Sequence, residues 1–155
     1  IASDISIKFL VDSLRIYTMT VNQKTLFDEA KLALERMCRD IRDARSITGT
    51  TATSVTFVRD DATAQDIAGE TIIFQRNAGA NTLEKVKASP AATSTMASNV
   101  TAFGVTNATN EILLQLSLQL STGENVTVRT RVYPKNLLKD LTYKNFYYNW
   151  MEAYQ

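Results

Sequence analysis

The sequence holds no histidine, a single cysteine, five glycines and two prolines in 155 residues. Without imidazole there is no Ser-His-Asp triad, no Cys-His nucleophile pair and no zinc site that relies on histidine. One cysteine, Cys38, excludes an intrachain disulfide and a cysteine metal cage. It follows Met37 in a helical pattern and reads as a half-buried structural thiol, with no histidine to activate it. The glycines form neither a GxGxxG nor a GxxxxGK loop, so nothing cradles a phosphate, and no GxSxG elbow occurs. No run reaches the roughly 18 apolar residues of a membrane span. An excess of either charge is also missing: 17 basic against 16 acidic residues give a formal net charge of +1. No whole-molecule field then draws the chain to nucleic acid or anionic lipid. The expectation is a protein that is not an enzyme, needs no cofactor and does not bind nucleic acid.

The residues present are 45% apolar and 21% charged, ordinary for one globular domain spanning residues 1–155. Residues 3–46 contain neither glycine nor proline, which permits one long helix or two joined ones. Leu26, Ala30, Leu34 (with Ala33), Met37, Ile41 and Ala44 recur at steps of three or four and mark one apolar face. The opposite side carries Lys31, Glu35 and Arg39. Arg36/Asp40 and Arg39/Asp43 at i,i+4 suggest solvated ion pairs contributing about a few tenths of a kcal/mol each. Gly49 reads as the end of the helix, with Arg45 in a last turn that favours a cation.

Beyond "TGTTAT" the period falls to two. Val55 and Phe57, then "ETIIFQR" (70–76), predict two strands, and "TLEKVKA" (82–88) a third after the turn "NAGAN". Residues 89–98, "SPAATSTMAS", read as a loop of small residues. "NVTAFGV" (99–105), "EILLQLSLQL" (111–120) and "NVTVRTRVY" (125–133) predict three more strands. In the second of these, Ile112, Leu114, Leu116, Leu118 and Leu120 share one face, and Pro134 stops the ladder. The expected fold is α+β: a long N-terminal helix packed on an antiparallel sheet of about six strands in two groups.

Among candidate sites, Asp60, Asp61 and Asp66 sit in one inter-strand loop. Three carboxylates with carbonyls could serve calcium, but their spacing matches no calcium loop, and solvated turn chemistry is the expected role. Asn99, Asn107 and Asn125 begin N-x-T patterns, which mean little without a eukaryotic secretory route. The last thirteen residues hold six of the thirteen aromatics, among them Tyr143, Phe146, Tyr147, Tyr148 and Trp150. Such a tail either docks on its own domain or anchors a partner.

In order and spacing, "LALERMCRDIRDARSI", "VTFVRDD", "ETIIFQR", "NVTAFGV" and the closing "VYPKN" resemble the type IV pilin-like proteins. The likeness, over roughly residues 22 to 137, is greatest to the larger minor pseudopilins and minor pilins of type II secretion and type IV pilus systems. That family often has Pro-Arg-Asn where this chain has Pro134, Lys135 and Asn136. The resemblance implies a structural filament subunit of the bacterial envelope, periplasmic or extracellular and membrane-anchored in its full-length form. Its implied partners are other pilin or pseudopilin subunits, the inner membrane through an apolar half-helix upstream of Ile1, and secreted cargo or a surface ligand. The rival expectation is a ligand-binding or adhesive module using loops 60–69 and 89–98 or the aromatic tail. DNA uptake, a third, is weakened by the balanced charge and would show a steep salt dependence.

Overall fold

A computed structural model describes residues 2–108 and 111–135. Helix α1 runs Ala2–Arg42, unbroken because nothing in it removes a backbone donor or lacks a Cβ. At 1.5 Å per residue it is about 60 Å long. Eight strands follow: β1 (Ala44–Thr51), β2 (Ser54–Arg59), β3 (Thr71–Asn77), β4 (Thr82–Ala88), β5 (Ala91–Ala97), β6 (Val100–Ala108), β7 (Glu111–Gln119) and β8 (Asn125–Val132). The class is α+β, one long N-terminal helix with antiparallel sheets.

Two expectations are corrected. The helix does not reach Gly49; it ends at Arg42, and Ala44 opens β1. Ala44 is buried either way, so it fits a helical stripe and a strand equally. Beyond it Ile47, Thr48, Thr50 and Thr51 are β-branched, and pairing with β2, through two register shifts, decides the conformation. The small residues 91–97 are not a loop but the edge strand β5, paired antiparallel with β4. Most of β5 is exposed, so no apolar alternation betrays it in sequence.

The strands form two sheets rather than one. The first is a meander, β1-β2-β3-β4-β5, and the second is β6-β7-β8. The outer edge of β6 is tied to two turns of the first sheet: Val100 N donates to Asn81 O (2.8 Å) and Val105 N to Ala52 O (3.1 Å). Asn81 takes a positive φ of 53°, which asparagine tolerates in a tight turn. Gly123, at φ 103°, makes the β7–β8 turn in a region that other residues rarely enter.

The core lies where α1 meets both sheets. Leu26, Ala30, Ala33, Leu34, Met37 and Ile41 pack with Phe57, Phe74 and Leu83 of the first sheet and Leu114, Leu116 and Leu118 of the second. Phe57 and Phe74 sit across the β2–β3 ladder with ring centroids 5.5 Å apart and planes tilted by 40°, within the favoured aromatic range. The alternating burial of Ile112, Leu114, Leu116 and Leu118 follows the pleat of β7. Each such large side chain, fully buried, contributes about 1.5–3 kcal/mol.

Candidate functional site

Two constructions stand out on α1. Over residues 26–41 one face is buried, whereas over residues 5–21 every large apolar side chain is exposed, Phe9 by 74%, Ile16 by 65% and Ile7 by 61%. Only Lys8, Asp12 and Arg15 carry charge in that stretch. All of these exposed large apolar residues but Val11 fall into two stripes. Ile5, Phe9, Ile16 and Met19 lie on the line continued by Leu26, Ala30, Ala33 and Met37, with steps alternating between three and four once Asp12 and Gln23 are counted. Ile7, Leu10, Leu14, Tyr17 and Val21 form a second line, again by alternating threes and fours, on the other side of the helix. An apolar residue every 3.5 positions is the pattern of a helix–helix seam. A helix that is apolar on opposite sides is normally surrounded.

The arm leaves the head at a defined point. Asn22 Nδ2 donates to Glu124 Oε1 at 3.2 Å, and the Thr122 hydroxyl also donates to Glu124. The Thr122 hydrogen bond, a backbone hydrogen bond and Asn22 hold the Glu124 carboxyl below its ordinary value. Nearby, Glu29 Oε1 accepts from Ser98 N at 2.6 Å, tying α1 to the end of β5. Among the described residues no helix is long and apolar enough to cross a membrane.

The other construction is a buried charge clasp at the C-terminal end of α1. Arg59, the last residue of β2, is 3% exposed. Its Nη1 reaches Asp40 Oδ1 at 2.8 Å and Asp66 Oδ2 at 3.2 Å, its Nη2 reaches Asp43 Oδ2 at 3.1 Å, and its Nε donates to Asp61 O at 3.2 Å. Lys85 Nζ lies 3.0 Å from Asp40 Oδ2 and 2.6 Å from Asp66 Oδ2. Lys87 Nζ lies 3.1 Å from Asp66 Oδ1 and 3.6 Å from Glu70 Oε2. Charges taken out of water must be paired and hydrogen-bonded, and shared carboxylates achieve this. Burial pushes the Asp66 carboxyl up, but hydrogen bonds from Lys85 and Lys87 and their charges outweigh it and hold it below its ordinary value. The bond to Asp66 raises Lys87 in turn.

This corrects two expectations. Asp66 is not in a solvated loop; it lies under Arg59, Lys85 and Lys87. Asp40 and Asp43 do not serve only the wet face of α1, since both bind Arg59 across the interface. Asp61 contributes its backbone to the clasp: its O accepts from Arg59 and its N donates to Asp43 Oδ2 at 3.3 Å. The backbone N of Asp60 donates to Asp43 O at 3.1 Å. Among the described residues no group of three or more metal-ligating side chains gathers. One signal of the clasp was in the sequence: Lys85 and Lys87 fall two and four residues after buried Leu83, on the same face of β4.

Leu26, Ala30, Leu34, Met37 and Ile41 lie on α1 and Ala44 on β1, all six buried. Tyr143, Phe146, Tyr147, Tyr148 and Trp150 lie outside the described residues. Cys38 is half-buried beside Thr130, and burial pushes its thiol up, away from the reactive thiolate. Comparison with known protein families, curated proteins and solved structures finds no match.

Proposed function

We propose that the chain is the head and lower helix of a filament-forming structural subunit of the type IV pilin-like kind, assembling through α1. One observation carries this: residues 5–21 display two apolar seams on opposite sides of one helix, both exposed. A helix in contact with one neighbour needs one seam; two seams suit a helix bundled among several. The clasp and the packed stripe of residues 26–41 would hold the head at a set angle to that bundle, so that force and position pass from helix to surface. The envelope location, the membrane anchor upstream of Ile1 and service in a type II secretion or type IV pilus machine belong to the same proposal. They rest on the motif resemblance.

The test is site-specific photocrosslinking in the cell of origin, using the intact gene product. A photoreactive residue at Phe9 or Tyr17 is expected to give crosslinks to helices of like subunits, while one at exposed Thr53, in the β1–β2 turn, gives none. Crosslinks absent from Phe9 and Tyr17, or equally abundant from Thr53, would sink the proposal.

A further inference from the structure

We propose that the groove between α1 and the edge of β8 left unpaired by the described residues binds an extended acidic segment of a partner protein, which joins the second sheet as an added strand. This site is separate from the arm, and it stands or falls independently of the filament proposal.

The groove measures about 500 Å³. Its helix wall includes Leu34, Cys38, Arg39 and Arg42, spaced so that they share one flank of α1. Its other wall is β8 at Val128, Arg129 and Thr130. Val128 and Thr130 point inward by the alternation of the strand, yet both are only half-buried. The floor between the walls, with Leu34 and Val128 beside the Thr130 hydroxyl, is therefore partly apolar and partly uncovered.

Among the described residues β8 pairs with β7 alone. The register runs without a shift from Ile112↔Val132 to Gln119↔Asn125. Edge strands are normally guarded by proline, bulges or inward-pointing charge. Residues 125–132 contain no proline and no bulge, and the two strand arginines, Arg129 and Arg131, point outward. A regular row of backbone donors and acceptors therefore faces the groove, which is what strand addition requires.

Charge selects the occupant. Four cations, Lys31, Arg39, Arg42 and Arg129, line the groove against one carboxylate, Glu35, which lies 3.9 Å from Lys31. The whole chain carries only +1, so the excess is local. Arg131 extends it across the outer face of β8, next to Gln115 and the open spot left by Gly104. The lining contains no aromatic residue, so single-stranded nucleic acid would find no stacking platform. An acidic polypeptide that alternates charged and apolar side chains matches both rim and floor.

The experiment uses the full chain and a fluorescein-labelled octapeptide of alternating Glu and Val, followed by anisotropy. Binding is expected, with at least about tenfold loss when Lys replaces every Glu and a comparable loss in the double variant Arg42→Glu, Arg129→Glu. Lys24→Glu, exposed on α1 away from the groove, should leave affinity unchanged. Methylating the amide nitrogens of either the Glu or the Val positions removes one edge of hydrogen bonds, so one methylated peptide should lose binding and the other keep it. Bound peptide should also slow alkylation of Cys38, which lines the groove, and thermal unfolding will show that the arginine variants remain folded. The proposal is overturned if the peptide does not bind or if both methylated peptides bind as well as the parent. Equal binding of the Lys peptide, or equal Cys38 protection by an oligonucleotide, would likewise overturn it.

Discussion

The two halves of α1 have similar local makeup and opposite surroundings. Residues 26–41 bury one stripe completely, with Met37 and Ile41 at 0% exposure, and spend their inward-turned carboxylate Asp40 on Arg59. Residues 5–21 continue the same stripe, add a second, and bury neither against the described residues. The half over residues 5–21 is thus apolar without being covered by the described residues. Exposed apolar surface of that extent ordinarily marks an interaction site. The difference teaches that burial along one helix is set by what packs on it: residues 26–41 meet the sheets, and residues 5–21 meet none of the described residues.

Five measurements would break or sharpen the contrast. The largest effect is expected from Arg59→Ala, which removes the buried cation shared by Asp40, Asp43 and Asp66; equilibrium urea unfolding should show a loss of about 3–5 kcal/mol. Met37→Ala or Ile41→Ala should cost about 2–5 kcal/mol by the same measurement. A cost below about 0.5 kcal/mol would mean that the lower half is not held by the sheets. A pH series comes next. Asp66 is lowered in the fold, so its contribution is complete above the ordinary carboxylate value near about 4 and disappears as pH falls through the folded value. Lys87 is raised, so its contribution holds below about 10.4 and is lost as pH rises through the folded value. The clasp should therefore show a plateau from about pH 5 to 10, and a slope at neutral pH would contradict it.

The fourth and fifth effects are small on stability. Phe9→Ser and Ile16→Ser should leave unfolding within about 0.5 kcal/mol of the parent while reducing subunit crosslinks from Tyr17. A destabilisation like that of Met37→Ala would show that the arm packs on its own head and erase the contrast. Lys31→Ala removes a long, exposed pair with Glu35 and should change stability by about 0.2–0.5 kcal/mol, read by thermal unfolding.

Much of the frame was legible before any coordinates. The stripe from Leu26 to Ile41 and the alternation of Ile112 to Leu118 are periodic because each faces a continuous core. β5 was illegible for the converse reason: an exposed edge of Ala, Thr and Ser has no buried face to write a pattern. The α1–β1 boundary was misplaced because buried Ala44 satisfies both periods. The clasp was hidden because i,i+4 spacing offers Asp40 and Asp43 plausible partners in Arg36 and Arg39. Spacing within one element says nothing of a buried arginine on β2.

By itself the sequence determined what chemistry the chain lacks, the α+β alternation of one long helix with strands, and which helix face is apolar. Only the tertiary structure decided that the strands split into two sheets, that Asp66 lies under three cations, and that β8, among the described residues, pairs with β7 alone. Periodicity records that a face is buried, whereas the identity of its cover depends on pairings between residues far apart in the chain. The same holds for residues 5–21 of α1, whose seams are written in the sequence and are exposed against the described residues.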